Sequence, residues 1–356
     1  MRRALTVAAL IAAGLVCVRI ALSARPRALC AVGGSARSPL AASGERIAWL
    51  EGDERESRLT VIPRRGGRAR AVLAAPRLAG LALEDDTAYV TRSAEVGGLP
   101  PALLAVSLKT GAAKTVAGLP EEADQIVCSD RWLVWRRSRR PELSGIPFVA
   151  AAAPVTVIRS APAAGGPVRI IAVLRGETSF RRDDILLLGI AGDSIYWRQR
   201  SGPVASDQTL IRRAPCAGGK IATVVAEAGS RGAALAGDVL VWTAPSLEAG
   251  NPGAFATVKR MALGRSGVKV IADWLNPGAM PMLTAGGRAY AQERGSLWRL
   301  GAKRGEQRRL FSGPSQVMSP VVSGDEEFMF IRRGQQTVVA KRPLTLWARV
   351  RSVVEW

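Results

Sequence analysis

Histidine does not occur anywhere in this chain of 356 residues. Its absence removes the usual general base near neutral pH, the commonest metal ligand and every Ser-His-Asp arrangement. Cysteine is scarce. Cys17, Cys30, Cys128 and Cys216 are widely spaced and form no C-x-x-C pair, so neither a zinc knuckle nor thioredoxin-like chemistry is written here. Cys17 lies in an apolar N-terminal run, and the other three read as small buried hydrophobes. An exported location would also permit a disulfide among Cys30, Cys128 and Cys216, in a pairing that spacing leaves open. Lysine is rare too: Lys109, Lys114, Lys220, Lys259, Lys269, Lys303 and Lys341 are all there are, so nearly every positive charge is an arginine. Beyond about residue 38 no segment keeps a 3.6-residue apolar period, which excludes a helical domain.

What is present begins with charge. The 50 Lys and Arg residues exceed the 29 Asp and Glu, leaving a net charge of +21. Abundant Ala, Gly and Arg point to compositional bias spread over a solvated surface. The functional reading of the same excess is a surface that attracts anionic polymers or lipid head groups. Runs such as Arg136–Arg140 lack the interleaved aromatics of a nucleic-acid groove, so no specific nucleic-acid partner is expected.

Arg2 and Arg3 precede an uncharged run, 4–18, then Arg19 and a second apolar stretch, 20–24. This is the pattern of an export signal. Ala21-Leu22-Ser23 offers small residues for cleavage, whereas the combined apolar length approaches the roughly 20 residues that span a bilayer. Residues 1–24 therefore read as a signal peptide or a retained signal anchor, 25–37 as a linker and 38–356 as the folded body. The arginine pair favours a cytoplasmic N-terminus, with the body outside the cytoplasm, anchored or secreted, in the periplasm or on the outer face of the cytoplasmic membrane.

That body is a repeat. A small or acidic turn leads into an alternating strand ending in an aromatic, at Trp49, Tyr89, Trp135, Trp197, Trp242, Tyr290 and Phe330. Between these anchors lies a strand–turn–strand, three times with the turn P-x-x-G-G (63–67, 162–166, 215–219) and in degenerate form closing at Gly111, Gly267 and Gly305. Glycine supplies the positive φ of such a hairpin and proline presets the residue before it. Two such elements every 40–50 residues, about seven times, predict an all-β propeller of four-stranded blades starting near 38, 77, 121, 184, 231, 280 and 316. Its ring would be closed either by residues 344–353 or by residues 28–32.

The unit "GDSIYW…TLIRRAPCAGG" (192–219) resembles the blades of TolB-like and YWTD-type bacterial propellers. The resemblance covers roughly 38–343 and implies fold more than function, because such blades serve binding, scaffolding and catalysis alike. Arg198 and Gln199 follow Trp197 where the YWTD type has Thr and Asp, so that family's packing network does not carry over. "SLKTG" (107–111) is faintly similar to quinoprotein blades, but no tryptophan follows in the docking position and no quinone is expected.

No catalytic residue, metal ligand or cofactor is predicted. Asp85-Asp86 and Glu121-Glu122 read as ordinary turn residues rather than paired acids. The longest interruptions, 136–154 and 175–184, fall in the third unit, and long loops on a rigid scaffold are where function concentrates. Arg139, Arg140, Arg181, Arg182, Asp183 and Asp184 are the candidate partner contacts. The expected function is a non-enzymatic scaffold that binds a protein or an anionic envelope component and meets the membrane through its N-terminus. The alternatives are a carboxylate-dependent hydrolase or lyase and a sensor ectodomain.

Overall fold

The computed structural model describes residues 27–344, apart from 37, 54, 94–99, 119–122, 140–154, 176–184, 202–207, 230–231, 247–254, 277–278, 285–286, 294–295, 312–316, 324–325 and 334–335. The expected signal or anchor and residues 345–356 lie outside this set. Short β-branched and aromatic runs separated by glycine, proline and aspartate turns fold as antiparallel strands, arranged in seven four-stranded sheets. Six are plain meanders, spanning 41–75, 78–118, 125–175, 185–228, 233–275 and 280–311. Successive inner strands touch one another, and the inner strand of the seventh sheet touches that of the first. The molecule is a closed seven-bladed β-propeller.

Blade 7 is built from both ends of the described chain. Val317–Ser323, Glu326–Arg333 and Gln336–Pro343 supply its inner three strands, and Arg27–Ala31 pairs antiparallel with Gln336–Pro343 as the fourth. Arg27 faces Lys341 and Ala31 faces Val338. The second of the two expected closures is thus the observed one. The closing strand falls inside the stretch that reads as a linker, because its alternation is too short to stand out without the partner it pairs with.

All seven aromatic anchors are buried, yet they do not face the same way. Trp49, Trp135, Trp197 and Trp242 pack on the preceding blade, Tyr89, Tyr290 and Phe330 on the following one. Tyr89 follows its turn residue Asp85 by one position fewer than Trp49, Trp197 and Trp242 follow Gly44, Gly192 and Gly237. Since side chains alternate between sheet faces, that single step reverses the neighbour. Two tryptophan N–H groups end on buried or half-buried carboxylates. Trp49 Nε1 donates to Glu51 Oε2 at 2.8 Å, and Trp242 Nε1 to Glu227 Oε2 at 3.3 Å. Glu51 also accepts from Thr60 Oγ1 and from the Gly33 N–H, tying the segment after the closing strand to blade 1.

The P-x-x-G-G turn forms three times with the same hydrogen bond, the N–H of the first glycine donating to the proline carbonyl at 2.9–3.0 Å. Its second glycine takes φ of 126° at Gly67, 146° at Gly166 and 142° at Gly219, conformations closed to other residues. Gly219→Ala is expected to cost about 1–3 kcal/mol, read as a lowered thermal midpoint with unchanged secondary structure.

Candidate functional site

An even number of strands per blade gives the ring two chemically distinct faces. At one, each inner strand turns into the second and the third into the fourth. These connections are short: 44–45 and 64–69 in blade 1, 192–193 and 216–221 in blade 4. The other face carries the connections from second to third strand and from one blade to the next, including all of the longest ones. Here they are called the turn face and the loop face.

Of the expected partner contacts, Arg139 alone lies among the described residues, at a strand end on the loop face. Arg139 ends its strand opposite Val155, which in turn lies opposite Arg175. On that face 140–154 links the second and third strands of blade 3, and 176–184 links blade 3 to blade 4. Arg140, Arg181, Arg182, Asp183 and Asp184 themselves lie outside the described residues, as do Glu121 and Glu122.

A second loop-face feature was not legible beforehand. In the outer strand of blade 5, Asp273 and Trp274 together stand opposite the single residue Thr257. This bulge turns the buried Asp273 toward blade 6, where Arg304 and Gln307 hold it. It also places Trp274 in solvent, 56% exposed, with φ of 60°. An aromatic residue in the left-handed region is an outlier that surrounding structure must enforce. Phe255 meets Trp274 edge-to-face, with ring centres 5.2 Å apart. No local pattern distinguishes this tryptophan from the buried ones, since its exposure depends on a bulge.

The turn face is governed by charge. Its inner turns carry Glu45, Asp85, Asp86, Asp130, Asp193 and Asp238, and its outer turns Arg64, Arg65, Arg68, Lys109, Lys220, Arg265, Lys303 and Arg304. Ion pairs link these groups within and between blades. Arg46 and Lys109 reach Asp86 at 2.7 and 2.6 Å, and their hydrogen bonds, Lys109 foremost, hold that carboxyl below the usual range. Trp132 and Arg131 of blade 3 do the same for Asp193 of blade 4. Arg64 of blade 1 reaches Glu326 of blade 7 at 2.9 Å beside Lys341, clamping the closure. An open hollow of about 500 Å³ lies in blade 1, with Arg46, Arg68 and Arg70 on its walls.

The inner strands read as small and apolar, and they form a ring bonded across blades. The Gln125 side chain both donates to and accepts from the Leu187 backbone of the next blade, at 2.9 and 3.0 Å. Glu84, where an inner strand meets its turn, has its carboxyl raised by burial and then by Asp85 and Asp130. Among the described residues no three His, Cys, Asp or Glu side chains gather to hold a metal ion.

Cys30, Cys128 and Cys216 are free thiols in blades 7, 3 and 4 rather than a disulfide. Burial pushes them up to about 11, 12 and 12 respectively. Thiolate is the reactive form, so alkylation at pH 7.5 is expected to be slow for all three in the native protein and rapid after denaturation. Mass spectrometry of iodoacetamide-treated protein reads this directly.

No family model matches the sequence, and no curated protein does. Solved structures match through the fold. An oligogalacturonate lyase in complex with manganese is 12% identical, with a TM-score of 0.63 over 90% of this chain and 92% of that one. The β-propeller domain of the Trilobed protease from Pyrococcus furiosus is 13% identical, with a TM-score of 0.57 over 90% and 97%. That domain has an open velcro topology, whereas here Arg27–Ala31 closes the last blade. The acylaminoacyl peptidase of Pyrococcus horikoshii is 14% identical, with a TM-score of 0.58 over 87% of this chain and 52% of that one, so this chain spans about half its length. TolB from Acinetobacter baumannii matches at a TM-score of 0.43 and adds nothing to the assignment. The resemblance to bacterial propeller repeats holds at the level of fold: the chain is a seven-bladed propeller scaffold.

Proposed function

We propose that this propeller is a non-enzymatic binding scaffold of the extracytoplasmic space, tethered or exported through its N-terminal segment, that holds a protein or anionic envelope component on its loop face. The observation carrying this reading is the two-sidedness of the ring. The chain enters at Arg27 on the turn face, and the long connections leave from the opposite one. A tethered ring oriented in this way offers its long connections to partners. Arg139, Arg140, Arg181, Arg182, Asp183 and Asp184 would supply charged contacts at blade 3. Trp274 with Phe255 would supply an aromatic anchor at blade 5, the residue type that dominates binding energy where it becomes buried.

The test is a pull-down from solubilised envelope of the source organism, using a soluble form that starts at residue 25 and so keeps the closing strand. A discrete protein retained through rising salt is expected, with retention weakened about thirtyfold or more by Trp274→Ala. Retention that fades uniformly with salt and yields no discrete partner would sink the protein-scaffold reading. Turnover of lactone or glycan substrates by the same preparation would replace it with a hydrolase or lyase.

A further inference from the structure

We propose that the turn face is a docking surface for the anionic lipid bilayer to which the chain is tethered, with the outer turns as its contact ring. The inference deepens the scaffold reading and rests on its membrane tether. Three observations converge on it.

The first is where the chain leaves the ring. The closing strand runs from Arg27, beside Lys341, toward Ala31, beside Val338. Its partner Gln336–Pro343 ends on the turn face, so the closing strand must begin there. Whatever precedes Arg27 therefore meets the propeller on this face, and the apolar stretch ends at Ala24, with only Arg25 and Pro26 between. Two intervening residues reach at most about 10 Å at full extension. A membrane-inserted segment that close to the ring holds this face, and not the opposite one, against the lipid.

The second is the distribution of charge. Arg68, Lys220, Arg265 and Lys303 are exposed on the outer turns of blades 1, 4, 5 and 6, joined by Arg65 and Lys109, which lie against Glu45 and Asp86; Glu306 is the only acidic residue of these turns. The other acids of this face sit on or beside the inner turns, and Asp86, Asp193 and Glu326 are already paired with Arg46, Lys109, Arg131, Arg64 and Lys341. The outer ring thus presents a positive circumference to a flat surface.

The third is where the few lysines fall. Lys109, Lys114, Lys220, Lys269 and Lys303, the exposed ones, all lie on turn-face connections or within two residues of them. Lysine is a compact point charge on a flexible stem, drawn to an anionic surface without the fixed geometry that arginine imposes. Each cation held near an anionic membrane strengthens association roughly fivefold, about 1 kcal/mol, and the effect fades within a Debye length.

The same lysines provide the readout. Full-length protein would be reconstituted into nanodiscs of phosphatidylcholine, with or without phosphatidylglycerol, and treated with a water-soluble amine-reactive reagent. Mass spectrometry would then give the labelling rate at each lysine. Severalfold slower labelling at Lys109, Lys220 and Lys303 with phosphatidylglycerol, reversed by high salt, is expected. A Lys220→Gln, Arg265→Gln, Lys303→Gln triple variant, altered only at exposed positions, is expected to keep its thermal midpoint and lose protection at Lys109. Equal labelling in both lipids, by protein that incorporates into the discs, would overturn the docking surface and leave the tether intact. Failure to incorporate into either would overturn the tether itself. Protection by soluble polyphosphate but not by anionic discs would assign the ring to a free polyanion and overturn the proposal.

Discussion

Replacing Arg342 by methionine is expected to destabilise the ring by about 3–5 kcal/mol, the usual result of stranding one member of a buried ion pair. Glu327 and Arg342 face each other across neighbouring strands of blade 7, and only 1% and 4% of their side chains are exposed. Burial raises the Glu327 carboxyl above the ordinary range, and Arg342 pulls in the opposite direction. Without the guanidinium only the first effect remains. Replacing both residues, as Glu327→Leu with Arg342→Met, is expected to return most of the loss, because neither charge is then taken out of water. Urea denaturation of wild type, single and double variants checks this. A double variant as unstable as the single would show that lost packing, not a stranded charge, is the cause.

The same pair fixes the sign of a pH effect. A carboxyl whose folded value lies above its unfolded one binds its proton more tightly in the native state. Its contribution is fully present below the unfolded value and is lost as pH rises through the folded one. Arg342→Met raises the folded value further, so its stability is expected to keep falling toward higher pH than that of wild type.

Cutting the chain at residue 33 instead of residue 25 is the second large effect. It removes Arg27–Ala31 and Val32, exposing the edge of Gln336–Pro343 and one side of the cluster formed by Trp49, Ile62, Phe328 and Val339. Losing Val32 and the half-buried Leu29 and Cys30 costs roughly 4 kcal/mol at the usual value of buried apolar side chains. For a chain of this size that corresponds to a fall in thermal midpoint on the order of 10 °C. An uncovered edge also invites pairing between copies, so the shortened protein is expected to elute as dimers or larger species. Unchanged melting and a monomeric elution would mean that the ring holds without its closing strand.

The blades were legible because their chemistry is local. A turn residue, an alternating strand and a glycine hairpin occupy adjacent positions, so Gly192 to Gly219 announces most of a blade without help from the rest of the chain. Whatever depended on distant partners was not legible. Arg27–Ala31 is too short to be recognised as a strand until Val338 to Lys341 stand beside it. Nothing near Glu327 or Arg342 in sequence reveals that their side chains meet in the interior. The opposite facing of Tyr89 and Trp49 hinges on one residue of turn length. The candidate site was legible only as loop length and charge at Arg139 and its successors. Trp274 escaped notice because a bulge, not its neighbours in sequence, turns it outward.

The seam between Arg27 and Lys341 has a consequence for timing. A chain made from its N-terminus produces the outer strand of blade 7 first and must keep it unpaired until Gln336–Pro343 appears more than three hundred residues later. Contacts across such separations form slowly, after local ones have been made. Blades 1 to 6 hold all four of their strands before the seam can form, while Arg27–Ala31 waits as an unpaired leader. The ring can therefore remain an open arc throughout synthesis and become a circle only when the last blade is complete. The strand made first is the strand placed last.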